Sequence, residues 1–202
     1  AIVRLGDILK KKDHELINKI EKMSGKIVDG RKSSFPGEVI SDFLQENKNY
    51  FPNLEEFANE IFYKIQDYEH ASLLLQQAWE SDDNLRVAGN NLLQAYRKQG
   101  LHKEALQIGL DLTSKHPDYP AGWNSLGTIY MDIQSLDEAK NCFLKSLELE
   151  PYALLPLLNL GNIAYLEKKY DIAIQYWEQV LHIHPTMEHA KQGIEAARQQ
   201  LQ

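Results

Sequence analysis

Trp123-Asn124-Ser125-Leu126-Gly127-Thr128-Ile129-Tyr130, then Leu136-Asp137-Glu138-Ala139-Lys140-Asn141-Cys142-Phe143, then Glu150-Pro151: this run, within residues 120–153, decides the fold. Leu126 and Tyr130 stand four apart, as do Ala139 and Phe143, so each half lays an apolar stripe along one face of a helix. Ser135 followed by Glu138 has the S-x-x-E form of a capping box and predicts the start of the second helix, just after a turn near Ile133 and Gln134. Gly127 and Ala139 are small, as two helices crossing closely require, and Pro151 closes the second helix.

The same order returns at a fixed interval. Pro117, Pro151 and Pro185 recur every 34 residues, and so do Ala105, Ala139 and Ala173. Residues 154–187 keep Leu160, Gly161, Ala173, Trp177 and Pro185, with Leu157 standing for Trp123 and Ala164 for Tyr130. Residues 86–119 keep Leu92, Tyr96, Ala105 and Pro117, but carry Gly89, Leu93 and Gly109 where the later units have tryptophan, glycine and an aromatic. Residues 52–85 place Phe62, Ala71, Leu75 and Ala78 in register, with Asn59 for the glycine and Asp83 for the proline, and read as a degenerate fourth unit in which Asp67 could cap a helix.

These landmarks resemble the tetratricopeptide repeat family, at every position of its pattern in residues 120–153 and in phase over most of the chain. The resemblance implies an all-α fold: a right-handed superhelical stack of antiparallel helix pairs, an α-solenoid with an inner groove. A pair cannot bury its apolar face alone, so it must stack on neighbours. Glu188-His189-Ala190 through Ile194 and Ala197 to Leu201 then forms a capping helix over 188–202. Residues 1–51 lie outside the repeat; Leu16, Ile20 and Met23 predict a helix over 13–23, Gly25 to Gly37 a loop, and Val39 to Leu44 a second helix.

Charge is unevenly distributed. Residues 1–50 hold 10 Lys/Arg against 8 Asp/Glu, whereas 51–202 hold 12 against 21, a body of net charge −9. Such a body repels phosphate backbones, and the 34-residue period differs from that of RNA-binding helical arrays, so nucleic acid is not an expected partner. No apolar run is long enough to cross a bilayer, and the lone Cys142 rules out an internal disulfide; we expect a cytoplasmic protein with no membrane insertion. Ala1-Ile2-Val3-Arg4 lacks the layout of a signal peptide and leaves room for an upstream segment or domain.

The sequence offers no catalytic set, and we expect neither an enzyme nor a cofactor. Gly25 to Ser33 has the glycines and lysine of a phosphate loop, but Arg31 intrudes before Lys32 and no strand precedes it, so a solvated basic loop is the better reading. His182, His184 and His189 cluster, yet residues two apart point to different helix faces and no Cys or carboxylate pair completes a metal site. Cys142, beside Phe143, reads as a buried inert thiol, and Trp123, Tyr130, Phe143 and Trp177 as core.

What remains is the groove. In this family the inner surface is lined by residues 2, 5, 6, 9, 12 and 13 of each unit. Carried over, these give Val87, Asn90, Asn91, Gln94, Arg97 and Lys98; Ala121, Asn124, Ser125, Thr128, Met131 and Asp132; and Leu155, Leu158, Asn159, Asn162, Tyr165 and Leu166. An asparagine amide both donates and accepts, so a row of them suits the alternating groups of an extended peptide backbone. The row resembles the asparagine ladder in the repeats of O-linked N-acetylglucosamine transferases. Family members that grip chaperone C-termini place Lys and Arg at positions occupied here by Asn90, Gln94, Ser125, Leu155 and Asn159, none of them a cation. The expected function is a protein-interaction module or scaffold holding a partner's peptide segment, with self-association as a further possibility. The alternative is the recruiting arm of a larger enzyme.

Overall fold

The computed structural model describes residues 68–82 and 84–202, without the side chain at position 70. The expectations for residues 1–67, namely two N-terminal helices, the loop over 25–37, the cap at Asp67 and the front half of unit 52–85, lie outside the described residues, as does Asp83. Among the described residues there are eight helices and no strand: α1 Tyr68–Ser81, α2 Arg86–Lys98, α3 His102–Lys115, α4 Pro120–Asp132, α5 Leu136–Leu149, α6 Leu154–Leu166, α7 Tyr170–Ile183 and α8 Glu188–Gln200. The chain divides into two compact units between Ala95 and Tyr96. In the first, α1 buries Leu74, Leu75, Ala78 and Trp79. Gly89 of α2 lies under the Trp79 ring so closely that a Cβ there would stand 2.8 Å from it.

The second unit is a run of helix hairpins. Arg86, Pro120, Leu154 and Glu188 open α2, α4, α6 and α8 at intervals of 34 residues. Three-residue turns follow α2, α4 and α6, and those from α4 to α5 and from α6 to α7 are short enough to force antiparallel pairs. The middle residue of each turn has left-handed backbone: Gly100 at φ 77°, Gln134 at 63° and Lys168 at 61°. The residue after it donates its N–H back across the helix end, Leu101 to Tyr96 O at 2.9 Å, Ser135 to Tyr130 O at 2.8 Å and Lys169 to Ala164 O at 2.8 Å, as in a Schellman closure.

That closure corrects one expectation. Ser135 is the N-cap of α5 but makes no side-chain cap hydrogen bond. Its N–H, which a capping box would offer to Glu138, is already taken by Tyr130 O.

The second helix of each pair stops before a proline, as expected. His116, Glu150 and His184, each before a proline, have φ of −125°, −136° and −133° with ψ of 67°, 86° and 85°, outside the helical region that a following proline disfavours. Pro120 opens α4, where a missing N–H costs nothing, and Ser146 Oγ donates to its carbonyl at 2.9 Å, tying α5 to the start of α4.

Small residues set the crossings. A Cβ on Gly127 would stand 2.7 Å from Phe143 Cε1, and one on Gly161 would stand 2.7 Å from Trp177 Cδ1. Ala139 and Ala173, opposite on the second helices, are fully buried. Within this unit α4 packs on α5, α6 on α7, α7 on α8, and α6 touches both α4 and α8. The result is an all-α solenoid in which first helices α4, α6 and α8 adjoin.

Candidate functional site

The expected groove residues fall into two groups, one in each compact unit. In the first unit Asn90 and Gln94 are half-buried, and Asn90 Oδ1 is buried with no hydrogen-bond partner among the described residues. Asn91 must be withdrawn from the groove: it is 2% exposed, turned into the interior, and no ligand can reach its amide. Ser125, at the same position of the next repeat, is buried as well.

In the second unit Arg97 and Asp132, 35 residues apart, close on each other. The guanidinium donates through Nε and Nη2 to both carboxylate oxygens, the latter at 3.2 Å, a forked geometry. Lys98 is exposed. On α4, Thr128 donates to Asn124 O at 2.9 Å, so its hydroxyl is spent within the helix. Asn124 is half-buried, with Oδ1 unpartnered among the described residues. Met131 packs against the cluster of Ala139, Phe143, Leu160 and Ile163.

On α6 the residues sort by helical angle. Leu158 and Tyr165 lean into the core around Trp177, where Tyr165 meets Tyr170 edge-on at 5.3 Å between ring centroids. Leu155, Asn159, Asn162 and Leu166 form the outward stripe. Leu155 is 61% exposed and Leu166 is 62% exposed, while the two asparagines between them are half-buried. Asn162 Oδ1 lies 3.2 Å from His189 Nε2 of α8, so the stripe continues onto the next first helix. The sequence signal for the place of His189 beside Asn162 is that it stands one period after Leu155.

No group of three or more His, Cys, Asp or Glu among the described residues could hold a metal ion. His184 Nδ1 is 3.3 Å from Thr186 Oγ1, and His189 turns away to Asn162. Cys142 is buried, and that burial, aided by nearby Glu138, pushes its thiol up to about 11. A nucleophile needs the opposite shift. A shallow cleft of about 450 Å³ opens between the Pro151–Tyr152 turn and α7, near Glu178 and His182, with no convergent catalytic groups.

A tetratricopeptide repeat family model matches residues 120–152. That match spans α4 and α5, one helix pair. A structure of MamA protein superposes with TM-score 0.65 at 18% identity, over 74% of this chain and 81% of that one. A tetratricopeptide repeat protein from Parabacteroides merdae gives 0.62 at 21% identity, over 74% and 60%. The first TPR of Spaghetti (RPAP3), bound to the HSP90 peptide SRMEEVD, gives 0.57 at 18% identity, over 59% and 95%. No curated protein sequence matches the chain. At these identities the neighbours establish the fold of the repeats, α4 to α7 in the part described here. No helix of the described residues is long and apolar enough to cross a membrane.

Proposed function

We propose that this tetratricopeptide repeat chain is a non-catalytic protein-interaction module that holds a peptide segment of a partner against the first helices α4, α6 and α8. The observation that carries the reading is the α6 stripe. A helix otherwise built into the core leaves Leu155 and Leu166 more than half exposed, with two amides between them. Both leucines lie on one face of the helix, and apolar surface rimmed by polar groups marks interaction sites. The repeat supports this reading through its geometry, because the first helices α4, α6 and α8 adjoin and so can present one extended surface to a ligand. The Spaghetti (RPAP3) repeat holds a peptide, which makes the same use of the fold a reasonable one here.

The test is site-specific photo-crosslinking in source-cell lysate, with the reactive residue at position 162 on α6 or, as control, at exposed position 141 on α5. A discrete adduct at 162 that is absent at 141, and that a synthetic copy of the crosslinked segment competes away, is the expected outcome. Equal adducts at both positions would move the binding surface off the first helices.

A further inference from the structure

The α6 face specifies the chemistry of what it binds. α6 contains thirteen residues and no charged side chain. The adjoining α4 contains one, Asp132, and Arg97 already neutralises it through the forked pair. At the far end of α6, Lys140 and Lys169 both close on Glu167 at 2.7 Å, which among the described residues of that turn leaves Lys168 as the rim cation. An acidic segment laid on this stripe would give up carboxylate hydration and find no charged partner on α6, and on α8 the His189 imidazole already turned to Asn162, a cost that apolar contact does not offset. Leu155 and Leu166 stand eleven residues apart, about 16 Å along the helix at the usual rise, a distance that about five extended residues span.

We infer that the α6 stripe binds a segment of a partner that carries aliphatic side chains and no net negative charge. Its aliphatic groups cover Leu155 and Leu166, and its main chain meets the amides of Asn159 and Asn162. This deepens the peptide-binding reading and rests on it. Acid-rich peptides such as SRMEEVD belong to the opposite class.

The experiment is selection from a displayed library of random dodecapeptides against the whole chain, followed by fluorescence anisotropy with a selected peptide and with SRMEEVD. Selected sequences should be rich in Leu, Ile, Val and Met and poor in Asp and Glu, and SRMEEVD should bind at least 100-fold more weakly. The double variant Leu155→Asp/Leu166→Asp should lose about 100-fold in affinity, about tenfold for each leucine contact. Both side chains are exposed, so circular dichroism should be unchanged; if the pair misfolds, Leu155→Asn/Leu166→Asn replaces it.

Selection of acidic peptides overturns the inference and leaves the peptide reading standing. So does binding that ignores the leucines but falls on Asn159→Ala/Asn162→Ala. Selection that enriches nothing, or peptides indifferent to all four positions, overturns both.

Discussion

The two helix pairs α4/α5 and α6/α7 have the same length, the same turn and the same glycine, yet they close differently. Gly127 faces Phe143, a ring held from one side by a glycine. Gly161 faces Trp177, and Gly193 of α8 presses the same indole from the other side, its Cβ position 2.9 Å from the ring. Both rings join three helices, but Phe143 meets side chains, Leu160 and Ile163, on α6, whereas Trp177 meets a second glycine on α8. The larger ring gains buried area, but its Nε1 has no acceptor among the described residues, so part of that gain is returned as desolvation. Outward the contrast reverses. α4 shows Thr128, bonded within its own helix, and Asp132, paired with Arg97, whereas α6 shows leucine. The period fixes where a residue sits and leaves its chemistry free to tie the last pair to α8 and to equip α6 for a ligand.

The largest expected effect breaks or sustains that comparison directly. Gly161→Ala should lower stability by about 2 kcal/mol and Gly127→Ala by about 1 kcal/mol, the clash outweighing the better helix propensity of alanine. The indole is held by glycine backbone at both Gly161 and Gly193, whereas the neighbours of Phe143 on α6 are the side chains of Leu160 and Ile163, which can adjust. Urea unfolding of both variants checks the order. Placing Gly161→Ala in a Trp177→Phe background should recover at least half of the loss, because the smaller ring frees the space; an additive double mutant would show that the indole is not what Gly161 accommodates.

How much of this was legible follows from what a period encodes. Pro117, Pro151 and Pro185 gave the ends of the second helices, and Gly127, Gly161, Ala139 and Ala173 gave the crossings, because a steric requirement admits few residue types. Asn91 was misplaced because the repeat assigns residues to a stripe but not the edge of that stripe against the next helix. Position 6 sits on that edge, buried at Asn91 and Ser125, half-buried at Asn159. The Arg97–Asp132 pair went unread although opposite charges one repeat and one residue apart were its signal. Gln134 and Lys168 carry no mark of left-handed backbone; Gly100, at the same repeat position, was the clue to both.

Those turns give the next effect in size. Gln134→Gly and Lys168→Gly should each raise stability by about 0.5 to 1 kcal/mol, since glycine accepts positive φ without the Cβ penalty. Gly100→Ala should cost about as much, although nothing lies within 4 Å of the position a Cβ would take, because the strain is in the backbone. Thermal melts of the three variants are the check. A destabilising Gln134→Gly would mean that the side chain contributes more than its conformation costs.

The smallest effect separates the two turns electrostatically. Glu167 accepts from Lys140 and Lys169 at 2.7 Å each, and Lys140 also meets Asp137 at 2.7 Å; one repeat earlier, Ile133 stands in place of Glu167. The Lys140 hydrogen bond, then the Lys169 one, holds the Glu167 carboxyl below its ordinary range against the opposing pull of burial. A carboxyl depressed in the folded state stabilises above its unfolded value of about 4.3, and that contribution is lost as pH falls through the folded value. Lys140 is raised, by Asp137 first and Glu167 second, so its contribution is complete below about 10.4 and is lost only as pH climbs through its folded value. Between those limits Glu167→Gln should cost about 0.5 kcal/mol, as for a partly exposed ion pair, and the difference should shrink in 1 M salt. Once pH falls below the depressed folded value, glutamine and protonated glutamate are both neutral, and the urea midpoints of variant and wild type should converge. A gap of unchanged size there would show that Glu167 acts through packing or neutral hydrogen bonds, and that the two turns differ in shape and not in charge.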